Sequence, residues 1–123
     1  MMTEDEKAAL TRTAPRLLKT WGVGDADAAR LLRLPDAEWK AIKSGNDDCQ
    51  LTDDQLQLVG ALVGTHGALK IIFAGEADRV SSWVHAANSG PIMQGRTPIE
   101  VLIEGGLPEA MRIRSYLEAE VAG

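Results

Sequence analysis

The side chains with chemical potential in this chain are two histidines, one cysteine, three tryptophans and two adjacent pairs of aspartates. His66 and His85 fall in different segments with no H-E-x-x-H spacing, so they do not read as a zinc pair. Cys49 has neither a C-x-x-C partner nor a neighbouring histidine that would make it a nucleophile. Asp47 with Asp48, and Asp53 with Asp54, place carboxylates side by side, but no EF-hand spacing or required glycine accompanies them. Acids favoured by a helix dipole explain Asp53 and Asp54 more simply. The glycines make no phosphate cradle, because no strand precedes them and no G-K-S/T follows. The reading is therefore a non-enzyme with no catalytic residues, no metal and no cofactor. Trp21, Trp39 and Trp83 have the type needed to stack on bases, yet each falls where a helix wants a large apolar residue, and core packing is the simpler role.

These residues must be carried by helices, since apolar positions recur at helical spacing and no convincing run alternates apolar with polar. The fold class is all-α. Thr3 and Glu6 form a capping box for a first helix that contains Ala9, Leu10, Leu17, Leu18 and Trp21 and ends at Gly22 and Gly24. Pro15 predicts a kink or break near Ala14. In "DADAARLLRLPDAEWKAIKSG", Ala28, Ala29, Leu31 and Leu32 form one short helix, and Asp36 caps another carrying Trp39 and Ile42. Two short helices about a tight turn have a helix-turn-helix outline, in which Arg33, Lys40 and Lys43 are the candidate DNA contacts. Asp36 and Glu38 occupy the first turn of the second helix, where they would repel phosphate.

"LTDDQL" is the clearest start signal: Thr52 as cap, Gln55 as its reciprocal partner, and Leu51 with Leu56 as a hydrophobic staple. The long helix that follows is apolar on most sides through Leu58, Val59, Leu62, Val63, Leu69, Ile71, Ile72 and Phe73, which predicts a central, buried position. Gly60, Gly64 and Gly67 inside it suit a close approach by another helix, although Gly67 equally suits a break. A further helix through Val80, Trp83, Val84 and Ala87 ends at Asn88. "NSGPIMQGR" then interrupts the chain before Thr97, Pro98 and Glu100 supply a complete helix start. The last helix begins at Pro108, with Met111, Ile113, Tyr116, Leu117 and Val121 predicted to pack inward and Arg112, Glu118 and Glu120 outward.

The net charge of −5 is spread along the chain, with no basic module in either half. One cysteine excludes an intramolecular disulfide, and no export signal is recognisable, so the expected location is cytoplasmic. The stretch from Leu56 to Gly75 carries Gln57, His66 and Lys70 among its apolar residues, which argues against a membrane span.

"WVHAANSGPIMQGRTPIEVLIEGGLPEAMRIRSYL" resembles the C-terminal domain of the Xre/MbcA/ParS-type antitoxins. The likeness rests on Trp83, Asn88, Gly95, Arg96, Thr97, Pro98, Ile99, Leu102, Gly105, Tyr116 and Leu117, and the helix-turn-helix-like part is similar to the family's N-terminal region. The resemblance implies a type II antitoxin that binds a RES-domain toxin, an enzyme that degrades NAD, and occludes its active site within an oligomeric toxin–antitoxin complex. It implies a helix-turn-helix-like region over 1–50, a central helix over 51–75 and a small helical toxin-binding domain over 76–123. Asn88, Gln94, Gly95, Arg96, Tyr116, Glu118 and Glu120 are then the expected toxin contacts. Family antitoxins often bind operator DNA through the N-terminal part, so a DNA-binding transcriptional regulator is the alternative function.

Overall fold

The computed structural model describes residues 2–46 and 49–123, and among these residues the chain is all helix, with seven helices and no strand. They are α1 (Glu4–Thr20), α2 (Asp25–Leu32), α3 (Asp36–Lys43), α4 (Asp53–Ile72), α5 (Ala77–His85), α6 (Pro98–Gly105) and α7 (Leu107–Ala122). Three of them start at a threonine whose side chain accepts from the backbone N–H three residues on, while the Glu or Gln at that position reaches back. These are Thr3 with Glu6, Thr52 with Gln55, and Thr97 with Glu100. Each box satisfies two backbone donors that the first turn would leave unpaired. Leu51 and Leu56, the staple flanking Thr52, are both buried.

One continuous core joins the helices. α4 runs through it, packing on α1, α5 and most extensively α7, while α2 packs on α3 and α6. α1 passes through Pro15 without the predicted break. Proline removes one backbone bond there, and Ala14, Leu17 and Leu18 hold the flanking turns in the core. The α2–α3 turn also differs from expectation. Arg33 adopts the left-handed conformation at φ 55° and Pro35 occupies the cap position, so Asp36 is the first helical residue and not the cap. There the dipole favours its charge.

Burial of α4 is one-sided. Beyond the first turn, where Leu56 is buried, Leu58, Val59, Ala61, Leu62, Thr65, Ala68 and Leu69 are buried, whereas Val63, Ile71 and Ile72, expected in the core, are exposed. The helix passes Gly67 unbroken and ends in a left-handed turn at Ala74 and Gly75. α7 buries Ala110, Ile113 and Leu117, a single stripe at i, i+3 and i+7. Met111, Tyr116 and Val121 are exposed, contrary to the predicted inward face. Met111 is two residues from Ile113 and therefore about 200° round the helix from it, so the two cannot share a face.

Candidate functional site

The segment between α5 and α6 is folded by its own backbone. α5 stops at His85, three residues before the predicted end, and Ala86 is extended. The Asn88 N–H then donates to the Arg96 carbonyl at 3.1 Å, and the Gly95 N–H donates back to the Asn88 carbonyl at 2.8 Å, which closes the loop at its neck. The Asn88 side chain tightens the start of the loop by accepting from the Gly90 N–H at 2.7 Å. Gln94 and Gly95 take successive positive φ values of 50° and 87°, a reversal that glycine accommodates at no steric cost and glutamine does not. The apolar anchor is Met93, 2% exposed, and its burial gives this interruption of the helical pattern a packing role.

Arg96 leaves the loop to pair with Glu104 on α6. Both side chains are largely exposed, so the pair braces the loop against the helix it precedes. The Glu100 carboxyl is held below its ordinary range, first by the hydrogen bond from the Thr97 side chain and then by the Thr97 backbone N–H. On α7, Tyr116 and Glu120 lie one turn apart on one flank of the buried stripe, while Met111, Glu118 and Val121 follow the other. Glu118 receives the Arg114 guanidinium at 3.4 Å. The seven expected toxin contacts thus fall in two groups, loop and α7, with no hydrogen bond or ion pair between the groups among the described residues.

Two of the three expected DNA contacts are engaged within the chain. Arg33 donates to the Ile103 carbonyl at 3.4 Å, placing a cation at the C-terminal end of α6, where the helix dipole favours it. Lys43 donates to both oxygens of Asp25, at 2.9 and 3.1 Å. That carboxylate also accepts from Trp39 Nε1 at 3.0 Å. The Lys43 and Trp39 hydrogen bonds, in that order, hold the Asp25 carboxyl below its usual range. Lys40 is exposed in the last turn of α3.

The two histidines, far apart in sequence, meet at Trp21. Its indole N–H donates to His66 Nδ1 at 2.9 Å, while its carbonyl accepts from His85 Nε2 at 2.8 Å and from the Ser81 hydroxyl at 3.1 Å. A carbonyl only accepts, so the His85 proton sits on Nε2. Burial, and then the nearby Lys70 charge, lower the His66 pKa. Trp21 and Trp39 are core residues, and Trp83 is half-buried against the same core. Cys49 is half-buried beside it. Asp47 and Asp48 lie outside the described residues, among which no group of His, Cys, Asp and Glu is arranged to hold a metal ion. No described helix is long and apolar enough to cross a membrane.

The Met93 anchor, the Glu104 partner of Arg96 and the Trp21 hub were not singled out in the sequence. An apolar residue surrounded by loop-forming residues was the only local signal for the first, and the other two depend on tertiary placement. No family model, curated protein or solved structure matches this chain.

Proposed function

We propose that this chain is the antitoxin of a type II pair, binding a RES-domain toxin through residues 76–123 and occluding its NAD-degrading site. The observation that carries the reading is the outer surface of α7. Met111, 55% exposed, and Val121 flank the buried stripe on one side beside Glu118, and Tyr116, 40% exposed, flanks it on the other beside Glu120. Large aromatic and methionine side chains left in solvent are the residue types enriched at protein interfaces. A site that accepts an anionic dinucleotide presents cations, and carboxylates complement them. Arg96, already paired with Glu104, serves in this reading to hold the loop in shape.

The test is NAD consumption by a RES-domain toxin with and without one equivalent of this chain. Suppression at a one-to-one ratio is expected, and replacing both Glu118 and Glu120 by alanine should weaken it. An unaffected toxin at several equivalents of folded protein would remove the proposal. Operator binding is the second reading, favoured by the outline of α2 and α3, eight residues each about a three-residue turn. Salt-dependent binding to the operon's own promoter separates it from the first.

A further inference from the structure

A cleft of about 560 Å³ opens where the end of α1, the α1–α2 turn and α3 meet, remote in sequence from the α5–α6 loop and α7. Leu18, Val23 and Trp39 line its apolar part, and Arg16, Lys19, Lys43 and Asp25 its polar part. Three cations against one anion give the lining a charge of +2 on a chain whose net charge is −5. Asp25 is already occupied by Lys43 and by the Trp39 indole, so the surplus sits on Arg16 and Lys19.

The pairing pattern of the chain sharpens this. Seven of its thirteen arginines and lysines face a carboxylate of their own chain, and among the described residues Arg33, Lys40 and Lys70 do not, scattered over three other elements. Arg12, Arg16 and Lys19 face none among the described residues, and their spacing puts them on one side of α1. Two of the three line the cleft.

We infer that this cleft binds a small organic anion, its apolar body against Val23 and Trp39 and its carboxylate, sulfonate or phosphate group between Arg16 and Lys19. The volume lies within the range of roughly 300–1,000 Å³ typical of small-molecule sites, and an apolar wall with a few convergent charges is their usual composition. A duplex offers its phosphates along a convex ridge and has no apolar body to fill such a recess, so the concavity favours a small molecule over nucleic acid.

The probe is 8-anilinonaphthalene-1-sulfonate, titrated by fluorescence, with the Trp39 indole N–H followed by NMR. Saturable one-to-one binding that shifts the Trp39 signal is expected. In a variant carrying Arg16→Gln and Lys19→Gln it should weaken about tenfold or more, the scale of one lost hydrogen bond to a charged group. Both residues are exposed, and an unchanged thermal midpoint shows that the variant is folded. Met111→Gln should leave binding unchanged, which separates the cleft from the apolar patch on α7. Displacement by benzoate or by phenyl phosphate then distinguishes a carboxylate ligand from a phosphate ester. The inference is overturned by no saturable binding, by equal affinity in the double variant, by loss of binding in Met111→Gln, or by displacement with a short DNA duplex that depends on Arg12.

Discussion

Replacing the glycines of α4 by alanine separates two explanations of why they are there. Each glycine inside a helix costs about 1 kcal/mol relative to alanine, a penalty helices accept where a neighbour must come close. The neighbourhood differs at the three sites. A methyl group at Gly60 or Gly67 would meet nothing within 4 Å, whereas at Gly64 it would overlap the Arg114 side chain. Gly60→Ala and Gly67→Ala should therefore each stabilise the fold by about 1 kcal/mol, raising the thermal midpoint by about 3 to 5 °C for a domain of this size. Seven residues of helix separate the two sites by about 10 Å, far enough for their effects to add. Gly64→Ala gains the same helix propensity but displaces Arg114 from Glu118, an exposed i,i+4 pair of the kind worth about 0.3–0.5 kcal/mol. A net gain of about half that at the other two sites is expected. Urea titration and calorimetry of the three single variants and the 60/67 double variant measure the order. Destabilisation at Gly60 or Gly67 would refute the reasoning, because it requires a neighbour filling space that is open here. Equal gains at all three sites would show that Arg114 does not lie across Gly64.

Two further perturbations test the loop and the Trp21 hub. Met93→Ala removes the loop's buried anchor and should destabilise the protein by about 2 to 3 kcal/mol, toward the lower end for a buried methionine because the loop can partly collapse; a change below the error of a urea titration would mean that the loop holds its shape by backbone bonds alone. His66 has a folded pKa below its free value of 6.5, so the folded state binds fewer protons than the unfolded one. Stability from this group is complete above pH 6.5 and is lost as the pH falls from there through the lowered folded value. Thermal midpoints between pH 7.5 and 5 should fall more steeply for the native chain than for His66→Gln, and parallel curves would show that the Trp21–His66 bond is not linked to protonation.

Three helix starts were legible because their signals are local. The Thr3, Thr52 and Thr97 boxes each need only residues three apart, and all three form as read. Misreadings arose where tertiary packing decides. Pro15 argues for a break, but Ala14, Leu17 and Leu18 are seated in the core on both sides of it. Met111, Tyr116 and Val121 look like core residues by type, yet the stripe facing α4 is already filled by Ala110, Ile113 and Leu117. α5 is tied to the end of α1 by Ser81 and His85 reaching the Trp21 carbonyl, 60 and 64 residues away in the chain, which no local pattern can signal.

The same long-range bonds change how the candidate contacts should be weighted. Arg33 was singled out for phosphate, but its left-handed turn directs the guanidinium to the Ile103 carbonyl, linking the α2–α3 region to the end of α6. Lys43 is committed to Asp25 and Arg96 to Glu104 in the same way. A partner that recruits any of these three must first break a bond that the folded chain already makes, so each offers less than its exposure suggests. Arg16 and Lys19, which form no ion pair among the described residues, and Met111 and Tyr116, which are left in solvent, carry no such prior commitment. Recognition should therefore concentrate at the cleft beside α1 and on the outer face of α7, and the strongest effects of mutation on binding are expected there and not among the paired arginines.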